Sequence, residues 1–239
     1  MNISIPSSGR DEMDEVRFFP LGDSALTVEF GNSISIDLNR VSVALSDQIA
    51  REPFPGFIEA VPAYSSTSIF YDVVEVRRSN PEFANAFSAA RAFTERVLGT
   101  ITVPDESGSR LVEIPVRFDE EAGPDLEIVA RRSGLSVESV IEIFTGIDYR
   151  VFMLGFLPGF SYMGEVDDRI ATPRKDTPRS RVARGSVGIA GKQTGIYSLE
   201  SPGGWQIIGC TDIELFTPNA SEPCFLKPGD RVRFIPVER

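Results

Sequence analysis

A chain of 239 residues, 41% hydrophobic and 25% charged, has the composition of a globular protein with one large core or two modest ones. Its 35 Asp and Glu against 24 Lys and Arg leave a net charge of −11, a surface that repels phosphate backbones and anionic lipids, so neither nucleic acid nor membrane is an expected partner. There is no histidine, which removes the usual neutral-pH acid/base and every Ser-His-Asp or Cys-His arrangement, and two cysteines, Cys210 and Cys224, supply neither a zinc site nor a disulfide framework.

Residues 1–14 are polar, lack an apolar signal core and read as a frayed start. Together with the sparse cysteines, they place the chain in the cytoplasm. Arg17–Phe19 and Ala25–Phe30 are rich in Val, Phe and Thr and form a hairpin about Leu21-Gly22-Asp23. Leu38, Val41, Leu45 and Ile49 recur at helical spacing in Asp37–Arg51, with Ser35 or Asp37 as N-cap. Phe57–Ala63 and Ser68–Tyr71 return to strand character, and Pro81–Leu98 is a second helix with Gly99 past its end. Two helices on a small antiparallel sheet make residues 15–104 an α+β domain.

Periodicity stops between Thr100 and Arg110, where Pro104-Asp-Glu-Ser-Gly-Ser109 marks a boundary. Beyond it, Arg110–Phe118 is a strand. Gly123-Pro124-Asp125 opens a helix closed by Arg131, Arg132 and Gly134, and Val137–Phe144 is another, capped by Ser136. From Tyr149 onward no helix is expected. The β-compatible pieces Tyr149–Leu154, Val187–Ala190, Gln206–Ile208 and Arg231–Pro236 lie between Gly/Pro clusters, so residues 109–239 read as a small β-barrel.

The chemistry concentrates in residues 155–209, whose density of glycine and proline implies rigid loops. One reading is a barrel with many corners; the other is a pocket lined by backbone amides. Arg174 and Arg179 each follow a proline, and such restrained guanidinium forks suit a carboxylate or phosphate, although surface ion pairing explains them equally. Arg181 and Arg184 extend the basic patch. Gly188–Gly195 is not a phosphate-binding P-loop, because that motif needs Gly where Ser186 stands and Ser or Thr where Gln193 stands. Its Gln193 and Thr194, with Tyr197, instead face a pocket. Trp205, the single tryptophan, is either core or an apolar wall beside Tyr197.

The runs Gly155-Phe-Leu-Pro-Gly-Phe160, Pro173-Arg174, Pro178-Arg179, Gly185-Ser-Val-Gly-Ile-Ala-Gly-Lys-Gln-Thr-Gly-Ile-Tyr197 and Ser201-Pro-Gly-Gly-Trp205 with Ile208-Gly209 strongly resemble one bacterial family. That family is the B-subunit of the prokaryotic 5-oxoprolinase, also described as allophanate hydrolase subunit 1, and it includes the Kip-type inhibitor of a sensor histidine kinase. Leu21-Gly-Asp-Ser-Ala25, Val61-Pro-Ala-Tyr64, Gly123-Pro-Asp-Leu126 and Pro228-Gly-Asp-Arg-Val232 extend the resemblance over nearly the whole chain. It implies a cyclophilin-like barrel for the second domain, a partner C-subunit of the same family, an A-subunit, and ATP used through the complex to cleave the lactam 5-oxoproline to glutamate.

On that reading Arg174 and Arg179 stabilise negative charge, Asp176 is the nearest carboxylate base, and Pro158, Gly159, Phe160, Gln193, Thr194, Tyr197 and Trp205 contact substrate; no metal is expected. The isolated chain is expected to be inactive. The alternatives are a kinase inhibitor and an allophanate hydrolase component. Where the sequence departs from the family, Phe144 stands in place of a usual His, Cys210 in place of a usual Arg, and Ala183-Arg184-Gly185 in place of Pro-Ala-Gly. Phe144 and Cys210 are expected to border the pocket.

Overall fold

A computed structural model describes residues 16–105 and 108–238, so the reading of residues 1–14 as frayed lies outside the described residues. The chain divides into two compact units between Gly108 and Ser109.

In the first unit the strands β1 (Arg17–Pro20), β2 (Ala25–Glu29), β3 (Phe57–Pro62) and β4 (Ser66–Tyr71) form an antiparallel sheet in the order β1-β2-β4-β3. Helix α1 (Ile36–Arg51) buries Leu38, Val41, Leu45 and Ile49 along one stripe and packs on β3 and β4, as the helical spacing requires. The helix expected over Pro81–Leu98 begins only at Ala86 and ends at Leu98, and a further short helix precedes Pro81. Helix α2 (Val73–Ser79) is capped by the Asp72 carboxylate, which accepts from the Glu75 N–H at 2.8 Å, and α3 (Ala86–Leu98) by Asn85, which accepts from the Ser88 N–H at 2.8 Å. Pro81 separates them rather than opening one. The residue before a proline is driven out of the helical region, and Asn80 accordingly sits at φ −135° as the C-cap of α2.

The second unit carries strands β5 (Leu111–Val116), β6 (Tyr149–Leu154), β7 (Ser161–Gly164), β8 (Arg179–Val182), β9 (Ser186–Ala190), β10 (Gln193–Ile196), β11 (Ser201–Gly203), β12 (Gln206–Cys210) and β13 (Arg231–Pro236). Seven of them form one sheet in the order β12-β9-β10-β7-β6-β13-β5, parallel only between β13 and β5. The two ends of that order meet, because Arg117 just past β5 and Cys210 on β12 exchange backbone hydrogen bonds of 2.9 and 3.0 Å. The sheet thereby curls into a nearly closed barrel and hides its edges. Helix α4 (Leu126–Ser133) packs on β12 and α5 (Val137–Thr145) on β13. Among the described residues no helix follows Tyr149, and none anywhere is long and apolar enough to cross a membrane. β8 and β11 pair as a separate ribbon outside the barrel sheet. Gly191 and Lys192 are the two-residue turn joining β9 to β10, so the Gly-rich run that resembles a P-loop is a hairpin, with its lysine paired to Asp168 at 2.8 Å.

A candidate aromatic pocket on the barrel

The loop from Gly155 to Phe160, between β6 and β7, is held by three of its own backbone bonds. The Leu157 N–H donates to the Gly155 carbonyl at 2.8 Å, Phe160 N–H to Leu157 at 3.0 Å, and Gly155 N–H to Phe160 at 3.1 Å. The first spans only three residues and sets Phe156 at φ +67°, the sole non-glycine residue with positive φ among those described. Phe156 is also 61% exposed. A bulky apolar side chain held in a strained backbone and facing solvent is not accounted for by packing.

Phe160, at the end of this loop, is buried and lies at the centre of an aromatic cluster. Its ring centroid is 4.8 Å from Tyr162, 5.2 Å from Tyr197, 5.5 Å from Trp205 and 5.5 Å from Phe156, every pair edge-on. Such edge-to-face contacts favour one mutual arrangement over others. Two glycines of the sequence motifs exist to admit these rings. A Cβ on Gly195 would lie 2.6 Å from the Ser161 carbonyl and 3.0 Å from the Phe160 ring, and one on Gly203 would run into the Tyr197 hydroxyl.

The cluster walls a cavity of about 270 Å³, at the small end for a ligand site. Phe156, Tyr162, Tyr197 and Trp205 line it with Arg174 and Lys175, and no Asp or Glu is among its lining residues. The Arg174 guanidinium lies 5.8 Å above the Trp205 ring and has no carboxylate partner among the described residues. Burial pushes both the Tyr162 and the Tyr197 phenol up, which keeps them protonated at neutral pH and able to donate. The cavity therefore offers apolar edges, two phenols and one uncommitted guanidinium. That set suits a small, partly apolar anion.

Asp125 braces this wall from behind. It stands at the N-cap of α4, yet its carboxylate accepts no cap bond from the helix. Instead Oδ1 accepts from Lys175 Nζ at 2.9 Å and from Arg179 Nη2 at 2.7 Å, and Oδ2 accepts from the Ile207 N–H at 2.7 Å. Asp125 is 1% exposed. Burial alone would raise its pKa, but the hydrogen bonds from Arg179, Lys175 and Ile207 outweigh it and hold the carboxyl below the ordinary range.

Of the residues singled out from sequence, the structure brings Phe160, Tyr197, Trp205 and Arg174 to one cavity. Arg179 is spent on Asp125. Asp176 is exposed and does not line the cavity. Pro158 is exposed, and Gly159 is buried against the Leu215 carbonyl, so the loop residues that reach the cavity are Phe156 and Phe160. Gln193 and Thr194 belong to the barrel sheet, and the Thr194 hydroxyl donates to the Gly188 carbonyl at 2.9 Å. The walls are mostly aromatic rings, with backbone contributed at Gly203 and Gly204. The basic patch is also dispersed, since Arg181 pairs with Glu200 at 2.7 Å and Arg184 with Glu214 at 3.5 Å.

Phe144 and Cys210 do not border the pocket. Phe144 is wholly buried in the barrel core, and Cys210 lies on the closing seam with its Sγ 4.0 Å from the Arg184 carbonyl. Burial pushes its thiol up, and both cysteines are unpaired. No cluster of three or more Cys, Asp or Glu suited to a metal occurs among the described residues.

Sequence reasoning missed Phe156, Tyr162, Lys175 and Asp125 as site residues. Tyr162 was within reach, because it follows Phe160 by two in an extended run and so shares its face.

The family model of the carboxyltransferase domain, subdomain C and D, matches residues 16–226. Among curated proteins, the 5-oxoprolinase B-subunit of Bacillus subtilis (strain 168) is 45% identical over 218 residues, covering 91% of this chain and 91% of that protein. The 5-oxoprolinase B-subunit of Escherichia coli O157:H7 is 37% identical over 226 residues, covering 94% and 97%. Among solved structures, TTHA0988 superposes with a TM-score of 0.76 at 39% identity over 90% of this chain, which spans 40% of the length of TTHA0988.

Proposed function

The chain belongs to the carboxyltransferase family of subdomains C and D, and from that premise we propose that it is the B-subunit of an ATP-dependent 5-oxoprolinase, acting in a cytoplasmic complex with a C-subunit and an A-subunit to open 5-oxoproline to glutamate. Relatives of nearly equal length that are named as 5-oxoprolinase B-subunits support the assignment. We read its barrel as cyclophilin-like.

The observation that carries the reading is the pairing of a small aromatic cavity with one uncommitted guanidinium. 5-Oxoproline is a five-membered lactam bearing a carboxylate. Arg174 takes the carboxylate as a charge-assisted pair, and the edges of Phe156, Phe160 and Trp205 enclose the ring. The protonated Tyr162 and Tyr197 phenols are the donors available to the lactam oxygen, where negative charge develops as the ring opens. ATP supplies activation of the lactam carbonyl. The 188–195 hairpin gives no phosphate cradle in this chain, so we assign ATP to the remainder of the complex.

Lactam opening also needs a base. No Asp, Glu or His lines the cavity, so we assign the base to the rest of the complex and read the isolated chain as inactive.

The test is reconstitution with candidate C- and A-subunits, with glutamate measured from 5-oxoproline in the presence and absence of ATP. ATP-dependent glutamate is the expected result, and Arg174→Ala should reduce it. A complex that turns over allophanate but not 5-oxoproline would overturn the substrate assignment.

A further inference from the structure

We propose that Asp125 is a positioning residue for this pocket: acting through Lys175 and Arg179, it holds the 173–179 loop in the place that sets Arg174 over Trp205. The proposal rests on the cavity being the ligand site of the proposed function.

Three observations converge on it. First, the carboxylate of an Asp at an N-cap ordinarily accepts from the first turn of its own helix, whereas only the backbone carbonyl of Asp125 does so, from the Ile128 and Val129 N–H groups at 3.0 Å each. Both carboxylate oxygens are committed across the fold, to residues 50, 54 and 82 positions away.

Second, the other ties of the loop are few, and at its end Arg179 pairs with Gly203 in the β8–β11 ribbon. Lys175 N–H donates to the Gly204 carbonyl at 2.7 Å, and the Gln206 side-chain amide donates to the Pro173 carbonyl at 2.9 Å. Both of these bonds lead to the segment beside Trp205. Asp125 N–H in turn donates to the Ile207 carbonyl at 2.9 Å, so one residue ties the start of α4, the start of β12 and the cationic loop together.

Third, the charge is distributed in a way that leaves Arg174 free. Lys175 and Arg179 share one carboxylate, whereas Arg174 has no carboxylate partner among the described residues and lies over the indole, near the Tyr162 and Tyr197 phenols. A buried carboxylate between two cations fixes both in direction, because leaving it unpaired is strongly unfavourable. Arg174 lies on the backbone next to Lys175 and inherits that restraint.

Two readouts, one of them independent of substrate, test the proposal. Trp205 is the only tryptophan and is 5% exposed, so its quenching by acrylamide reports the closure of the cavity wall without sensing charge. Asp125→Asn should raise the Stern–Volmer constant at least about twofold through local opening of the loop. In the reconstituted complex the same variant should raise KM for 5-oxoproline about tenfold and change kcat less than about threefold, the pattern of lost ground-state placement.

Val140→Ala, a cavity in the barrel core away from the loop, is the control for a general loss of stability. It should lower the melting temperature and leave quenching and KM unchanged. In a double-mutant cycle, Asp125→Asn with Arg174→Ala should raise KM no further than Arg174→Ala alone.

Unchanged quenching in Asp125→Asn, or equal quenching in Val140→Ala, overturns the positioning role. Where Asp125→Asn fails to fold, Lys175→Met carries the test with the same expected direction, and its unchanged quenching has the same consequence. A wild-type complex that ignores 5-oxoproline overturns the functional reading instead, while the quenching result still decides the role of Asp125.

Discussion

The rings of Phe144 and Phe234 stack 4.9 Å apart at an interplanar angle of 22°, with Tyr149 against both, 5.1 Å from Phe144 and 5.5 Å from Phe234. The Tyr149 hydroxyl donates to the Phe144 carbonyl at 2.8 Å, which closes the group on itself. Position 144 is therefore a core position in this chain, and the absence of histidine there removes nothing from the pocket. Phe144→His should cost roughly 2–3 kcal/mol, because it buries an imidazole in an apolar aromatic stack. Denaturant unfolding measures that cost, and KM for 5-oxoproline in the surviving folded fraction should be unchanged.

The two Pro-Arg pairs look equivalent in sequence and are separated by structure. Arg174→Ala removes the uncommitted guanidinium over Trp205, so KM should rise roughly 10- to 100-fold, the worth of a charge-assisted bond, with little change in melting temperature. Arg179→Ala leaves Asp125 buried with Lys175 and the Ile207 N–H alone, and should cost about 2 kcal/mol of stability. Thermal melts and steady-state kinetics of both variants check the split. Equal losses of affinity without destabilisation would mean that both arginines meet the ligand.

How far the sequence carried this picture depends on the range of the interactions involved. The apolar stripe of α1 and the turn-rich barrel segment are set by near neighbours, and both were legible. The helix ending at Leu98 was legible too, but its late start and the short helix before Pro81 were not, because capping by Asn85 and Asp72 decided where each began. Within the candidate site, Phe160, Tyr197, Trp205 and Arg174 were found from motifs. Asp125 was hidden because its partners lie 50 to 82 residues away, and because an Asp before a helix has an adequate local explanation. Gln193 and Thr194 were misplaced for the opposite reason: a polar pair near glycines reads as a pocket lip, yet pairing with β7 and β9 turns them into the sheet.

Asp125 also makes stability depend on acidity, in a definite direction. Its folded pKa lies below the unfolded value of about 3.9, so its contribution is complete above that pH and is lost as pH falls through the lower folded value. Wild type should therefore be more stable than Asp125→Asn at pH 6, and the difference should shrink steadily below about pH 4. Melting curves of the two proteins between pH 6 and pH 3 measure this gap. A constant gap across that range would show that the carboxylate charge contributes nothing.

The strain at Phe156 gives the last prediction, in which stability and binding move apart. A left-handed backbone is unfavourable for phenylalanine and well tolerated by asparagine, whose short polar side chain bonds locally. Phe156 is 61% exposed, so little buried area is lost on replacing it, although its edge contacts with Phe160 at 5.5 Å and Tyr197 at 6.5 Å disappear. Relief of strain, on the order of 1 kcal/mol, offsets contacts worth about as much, so Phe156→Asn should melt within a degree or two of wild type or above it. Binding should suffer nonetheless, because the cavity loses one of its aromatic walls, the most exposed of them, and KM for 5-oxoproline should rise at least about fivefold. A variant with unchanged KM and a lower melting point would instead make Phe156 a packing residue, and the strain of its turn would have no part in ligand capture.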